Sequence, residues 1–236
     1  PKITDQHPGM DWDDAYDVQD AVLARKTARG ARVVGYKAGL TSFAKMKQMG
    51  VSEPVFGFLV DDFAVPEGAA IEVSELIHPK VEPEICFVTK TALKGPGCHV
   101  GAVLAACDFV LAGIEVIDSR YRDFKFALPD VAADNSSSSG FFVGSWSSPS
   151  TDVANLGIVM EVDGRPVQIG STAAILGNPI RSLVAAARLV AKAGERLEPG
   201  DIVLAGGATA AHALVPGMHV KTTFQRLGTV AFNVVA

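Results

Sequence analysis

At 236 residues, 48% of them hydrophobic and with a positive mean hydropathy, the chain can bury a large core in one domain or two. No apolar run reaches the ~20 residues of a membrane span, no signal-peptide pattern opens the chain, and a net charge of -5 without a basic cluster argues against nucleic acid as a partner. Cys86, Cys98 and Cys107 are odd in number and lack C-x-x-C spacing, so they read as reduced cytosolic thiols, not as a disulfide framework or a zinc site.

The first expected element is an amphipathic helix over 13–29, with Ala15, Val18, Val22 and Arg25 on one stripe, Asp11 or Asp13 as its cap and Gly30 as its stop. ARVVGYKAG then alternates as a strand that puts Lys37 on the face of Val33 and Gly35. A short helix over 43–49 ends at Gly50. From about 55 to 170 strands dominate, at 55–60, 70–73, 82–89, 109–117, 141–143, 157–162 and 166–169, with Asp163-Gly164 as a two-residue hairpin turn. The serines 136–139 read as a polar loop or the start of a strand. A helix over 179–193 has proline in its first turn, Ile180, Leu183, Val184 and Ala187 on one stripe, and Gly194 to stop it. Strands at 202–205, 219–224 and 229–235 complete the chain. Many strands and few helices predict an α+β fold with a β-rich core, not a βαβ nucleotide-binding fold. Residues 1–50 would form an N-terminal helix and strand cap, and 51–236 one continuous catalytic core.

Three glutamates carry the chemistry. Glu82 and Glu84 are two apart on a strand and so face the same side, roughly 6.6 Å apart by two strand rises. E-x-E also decorates the solvated face of many edge strands, but Glu115 is the only charge between Phe109 and Ile117, where an unpaired carboxylate is rarely tolerated. Two carboxylates about 4 Å apart repel by roughly 4 kcal/mol at an effective dielectric near 20, so a buried acidic cluster needs a cation. All-oxygen ligation suits Mg²⁺ or Mn²⁺. Lys37, among the small residues Gly35, Ala38 and Gly39, is either a snorkelling surface lysine or a desolvated cationic acid–base group. Asp118 and the segments SRYRDFKF and ADNSSSS follow the Glu115 strand and supply, besides that aspartate, Arg120, Arg122, Lys125, Asp134 and Asn135. Such charges are either a solvated loop or, for arginine, a reader of carboxylates. Gly206-Gly207-Ala208-Thr209 could offer backbone N–H groups to an anion, but it lacks P-loop and Rossmann spacing and reads rather as a tight turn. No nucleophile elbow or catalytic triad is visible.

VGYKAGLTS, MGVSEPVFGFL, IHPKVEPEICFV, GIEVIDSRYRDFKF and VAADNSSSS together resemble the hydratase/decarboxylase branch of the fumarylacetoacetate hydrolase superfamily, from about Asp11 to the C-terminus. The resemblance implies a mixed-sheet β-roll with a small N-terminal helical segment. It implies Mg²⁺ or Mn²⁺ held by Glu82, Glu84 and Glu115 and Lys37 as the active-site lysine; Arg120, Asp134 and Thr209 are further candidates for the substrate side. The implied reaction is decarboxylation of 2-oxo-3-hexenedioate to 2-hydroxypenta-2,4-dienoate in meta-cleavage degradation of aromatic compounds; hydration of that dienoate and acylpyruvate hydrolysis are the alternatives. A cytoplasmic homo-oligomer that associates with the cognate hydratase, without nucleic acid or membrane, belongs to the same implication. The chain departs from the family's E-A-E wording at Pro83, which donates no ladder hydrogen bond and so suggests an edge strand or a local bulge. It departs again at Gly113, where relatives tend to carry proline or alanine.

Overall fold

The structure is a computed structural model that describes residues 1–66 and 68–236. In chain order its elements are α1 (Ile3–Gln6), α2 (Trp12–Thr27), β1 (Val33–Gly39), α3 (Phe43–Met49), β2 (Val55–Val60), β3 (Ala70–Glu72), β4 (Lys80–Thr89), α4 (Val100–Ala106) and β5 (Cys107–Ile117). There follow α5 (Leu128–Ala133), β6 (Ser138–Ser147), β7 (Gly157–Val162), β8 (Arg165–Ser171), α6 (Ile180–Lys192), β9 (Ile202–Gly207), β10 (His212–Ala213), β11 (His219–Phe224) and β12 (Gly228–Val235). Among these residues no helix is long and apolar enough to cross a membrane.

Two mixed sheets bear out the α+β expectation. The larger runs β2-β1-β9-β4-β5-β6, with β10 paired to the start of β4, and the smaller runs β3-β12-β11-β7-β8. They share one core. Val81, Ile85, Phe87, Ile114 and Phe142 from the large sheet meet Ile158, Met160, Val220 and Phe232 from the small one. The rings of Phe142 and Phe232 stack with centroids 4.4 Å apart. Helix α6 adds Leu183, Ala187 and Val190 from its apolar stripe to this core.

Local chemistry explains the element ends. Asp11 accepts from Asp14 N at 3.0 Å and Asp14 returns the favour to Asp11 N at 3.1 Å, a reciprocal cap that fixes the start of α2. Gly50 and Gly194 take left-handed φ values of 69° and 82° after α3 and α6. Asp163 and Gly164, both at positive φ, turn β7 into β8 as a hairpin.

Two expectations need correction. The strand grouped with an N-terminal cap is interior: β1 pairs antiparallel to β2 and parallel to β9, so the sheet begins near residue 33, not 51. Nor does Pro83 mark an edge, because β4 lies between β9 and β5. Pro83 lies just beyond the last β9 pair, Glu84 with Gly207, beside a register shift between Glu84 and Cys86 that is the expected local bulge, and its carbonyl accepts from Ala208 N at 2.9 Å.

Candidate active site

Antiparallel pairing of β4 with β5 sets Glu82 directly opposite Glu115 and Glu84 opposite Gly113. Side-chain alternation then brings all three carboxylates to one face, with one oxygen from each within 4.8 Å of the others. Glu84 and Glu115 are fully buried and Glu82 is half-buried.

The glycines read as a tight turn have a different task. Gly206 and Gly207 are the last residues of β9, and Gly207 pairs with Glu84. A Cβ on Gly207 would stand 2.7 Å from Oε2 of Glu82, and one on Gly206 would stand 2.1 Å from Oγ1 of Thr41. At φ 107°, Gly206 donates its N–H to Oε2 of Glu84 at 2.7 Å. This backbone donor fixes one glutamate oxygen and leaves the other free. Gly113 is tight as well, since a Cβ there would lie 3.3 Å from Cδ2 of Leu204.

Lys37 is 3% exposed, so it does not snorkel. Its Nζ lies 2.9 Å from Oε2 of Glu115 as an ion pair and donates to the Ser136 carbonyl at 3.1 Å and to Ser136 Oγ at 3.3 Å. Burial opposes its charge, but Glu115 and then Glu84 outweigh that and hold its pKa above the ordinary lysine value. Burial first, and then Glu115, pushes the Glu84 carboxyl well above the usual range. Glu115 is raised by burial against the opposing pull of Lys37. Oε1 of Glu84 and Oε1 of Glu115 are buried with no hydrogen-bond partner. Partnerless buried carboxylate oxygens are costly, and two of them within a cluster of three converging carboxylates suit a hard divalent cation.

The loop residues fall beside this centre in another arrangement. Asp134 accepts from Arg120 Nε and, at 3.1 Å, from Arg120 N, while its carbonyl accepts from Arg120 Nη2. Arg120 Nη1 donates to the Asp118 carbonyl at 3.1 Å and to Ser139 Oγ at 3.3 Å. Burial raises the Asp134 carboxyl despite the neighbouring guanidinium. The segment is therefore no merely solvated loop: Asp118 and Ser119 are buried, and Asp118 accepts from Ile77 N and His78 N at 2.8 Å each. Arg122 is exposed, and Lys125 makes only a surface pair with Asp123. Thr209 lies two residues past Gly207, half-buried, and donates to the Ala210 carbonyl at 3.0 Å. Sequence reasoning did not single out Thr41, Ser136 or the Gly206 N–H as site groups. Only the Gly-Gly pair after an apolar strand carried a signal for them. Of the serines, 136 and 137 lie in a short 3-10 turn and β6 starts at Ser138.

Residues 32–235 match the family described as fumarylacetoacetate (FAA) hydrolase C-terminal. Over 233 residues the chain is 51% identical to a 4-oxalocrotonate decarboxylase of Pseudomonas sp. (strain CF600), covering 98% of this chain and 88% of that one. The structure of 4-oxalocrotonate decarboxylase from Pseudomonas putida G7, complexed with magnesium and adipate, superposes with a TM-score of 0.96 at 48% identity, covering 99% of this chain and 90% of that one. A 2-keto-4-pentenoate hydratase of Paraburkholderia xenovorans (strain LB400) is 36% identical over 97% of this chain and 86% of its own length.

Proposed function

The chain belongs to the fumarylacetoacetate hydrolase family, and on that premise we propose that it is a divalent-metal-dependent carbon–carbon lyase, converting 2-oxo-3-hexenedioate (4-oxalocrotonate) to 2-hydroxypenta-2,4-dienoate and CO₂ in meta-cleavage degradation of aromatic compounds. The observation that carries the proposal is the set of buried carboxylates with partnerless oxygens beside one buried ammonium. Three ionised carboxylates less one lysine leave two negative charges, which Mg²⁺ or Mn²⁺ would balance. Glu82, Glu84 and Glu115 would hold the ion, with the Gly206 N–H keeping Glu84 oriented. When bound, a divalent cation supplies Lewis acidity toward the carboxylate and keto oxygens of a 2-oxo acid.

In the reaction the C5–C6 bond breaks and C6 leaves as CO₂. The bonding pair becomes the C4–C5 double bond, the former C3–C4 pair moves to C2–C3, and the keto oxygen takes the negative charge before protonation. Lys37, held by Ser136 and Glu115, supplies fixed positive charge next to the carboxylates, where preorganised charge lowers a barrier most. Arg120 is a weaker contact for the C6 carboxylate. Four hydrogen bonds already occupy its fork, and a guanidinium has five N–H donors, so it can spare one and cannot clamp bidentately. A loose hold suits the chemistry, because a firm grip on the departing carboxylate would stabilise the ground state. Asp134 keeps Arg120 in place, and Thr209, two residues past Gly207, would meet the substrate from that side. A cytoplasmic homo-oligomer, associated with the hydratase that would take its product, completes the proposal.

The test is to incubate the purified chain with 2-oxo-3-hexenedioate and Mg²⁺ and measure CO₂ release. Release that depends on the metal is expected. Water addition to 2-hydroxypenta-2,4-dienoate without CO₂ release from the dicarboxylate would make the chain a hydratase instead.

A further inference from the structure

Asn135, Ser136 and Ser137 are buried and have φ values of 51°, 51° and 61°. Three successive non-glycine residues in the left-handed region are strained backbone, kept only where surrounding contacts over-determine it. The side chain of Asn135 supplies such contacts. Its Oδ1 accepts from Phe58 N at 2.8 Å and its Nδ2 donates to the Phe58 carbonyl at 3.1 Å, so the amide pairs with the free side of the edge strand β2 as a neighbouring strand would. The docking point is next to the lysine's own register position, because Lys37 pairs with Gly57 and Tyr36 with Phe58. Two glycines make room for the turn. A Cβ on Gly57 would stand 2.6 Å from the Asn135 carbonyl oxygen, and one on Gly39 would stand 2.5 Å from Ser136 Oγ. What the turn delivers to Lys37 is the carbonyl and hydroxyl of Ser136.

Resting on the proposed role of Lys37, we infer that Asn135 is a positioning residue: its two-armed clamp on Phe58 holds the strained turn that aims Ser136 at the Lys37 ammonium. A purely structural role would make the clamp only a means of satisfying a strand edge with no further strand beside it, and the two roles separate by experiment.

Asn135→Gly is the informative variant, since glycine adopts a left-handed φ more readily than asparagine and only the clamp is deleted. The expected result is a fall in kcat of about tenfold or more with Mg²⁺ affinity by calorimetry close to wild type, measured well below a melting temperature that the two lost buried hydrogen bonds will lower. In a Lys37→Ala background the same substitution should cost no further turnover, because both changes remove one interacting unit. Unchanged kcat in Asn135→Gly, or independent losses that multiply in the double variant, would overturn the inference. The cycle is run on CO₂ release, or on water addition if that is what the chain catalyses. A second readout needs no activity: labelling of lysines by a small acylating reagent, followed by mass spectrometry. Lys37 should be protected in the Mg²⁺-loaded wild type and label faster in Asn135→Gly, with Lys47 as an internal reference. Equal Lys37 labelling in both proteins would sink the positioning role even if no turnover is found, whereas a chain inactive on both substrates would count against the proposed reaction alone.

Discussion

Two ends of one sheet face differ more than the two sheets do. On the face of the large sheet that carries Glu82 and Glu84, β4 continues with Cys86 and Val88, and β5, past Glu115 and Gly113, presents Leu111 and Phe109 opposite them. Cys86, Leu111 and Leu204 join Leu59 in an apolar cluster on this face that reaches Phe141, the β6 partner of Glu115. Strand alternation is the same at both ends, and the same two strands pair throughout. The fold is therefore compatible with apolar side chains on this face, and the glutamates at one end cost stability that the other end does not incur. Buried charge on a face that elsewhere packs cysteine and leucine is a mark of function, not of folding.

Neutralising the acidic end should have the largest effect. Glu84→Gln or Glu115→Gln should lower Mg²⁺-dependent turnover on the order of a thousandfold. Metal-free Glu84→Gln should melt no lower than metal-free wild type, because a buried repulsion is relieved, whereas Glu115→Gln also strips Lys37 of its buried partner and should melt lower. Wild-type metal affinity by calorimetry in either variant would remove that residue from the ligand set. Next in size is Lys37→Ala, for which we expect a loss of about a hundredfold in kcat. Its Mg²⁺ affinity should be retained or increased, since the cation opposing the metal has gone. Unaltered kinetics would return the lysine to a structural part.

The apolar end should respond in the opposite sense. Leu111→Ala removes a buried side chain and is expected to cost about 2–5 kcal/mol of stability by denaturant unfolding, with Mg²⁺ affinity unchanged in the folded fraction. A shift in metal affinity without loss of stability would show the two ends to be one unit. The smallest effect concerns pH. The Glu84 carboxyl is raised in the fold by burial and by Glu115, so its contribution to stability is fully present below the unfolded carboxylate pKa and is lost as pH rises through the folded value. The melting temperature of metal-free protein should thus fall as pH climbs above the ordinary carboxylate range, and saturating Mg²⁺ should abolish the fall. A metal-free melting temperature that climbs over the same range would contradict the burial of a strained carboxylate.

Elements with strong local chemistry were legible before the structure. Helix α3, strands β2, β7 and β11 and the Asp163-Gly164 hairpin stand where the residues put them, and α2 is displaced by a residue or two. Helices α4 and α5 were not legible: VGAVLAA and LPDVAA are too short to repeat a helical stripe. Strand β6 runs from Ser138 to Ser147, well past the expected 141–143, because pairing with β5 recruits serines and two glycines that have little strand propensity of their own.

By itself the sequence determined that Glu82 and Glu84 share a face, that a lone carboxylate interrupts the apolar strand 109–117, and that a lysine sits among small residues. These follow from a strand period of two and from the cost of burying charge, which are local rules. Only the tertiary structure decided that Glu115 lies opposite Glu82, that β1 runs parallel to β9 and brings in Lys37, and that Ser136 reaches that lysine from 99 residues away. Nothing in a strand's own residues names its neighbour. Register is chosen when whole faces bury together, and here that choice turned three separate glutamates and one lysine into a single buried centre.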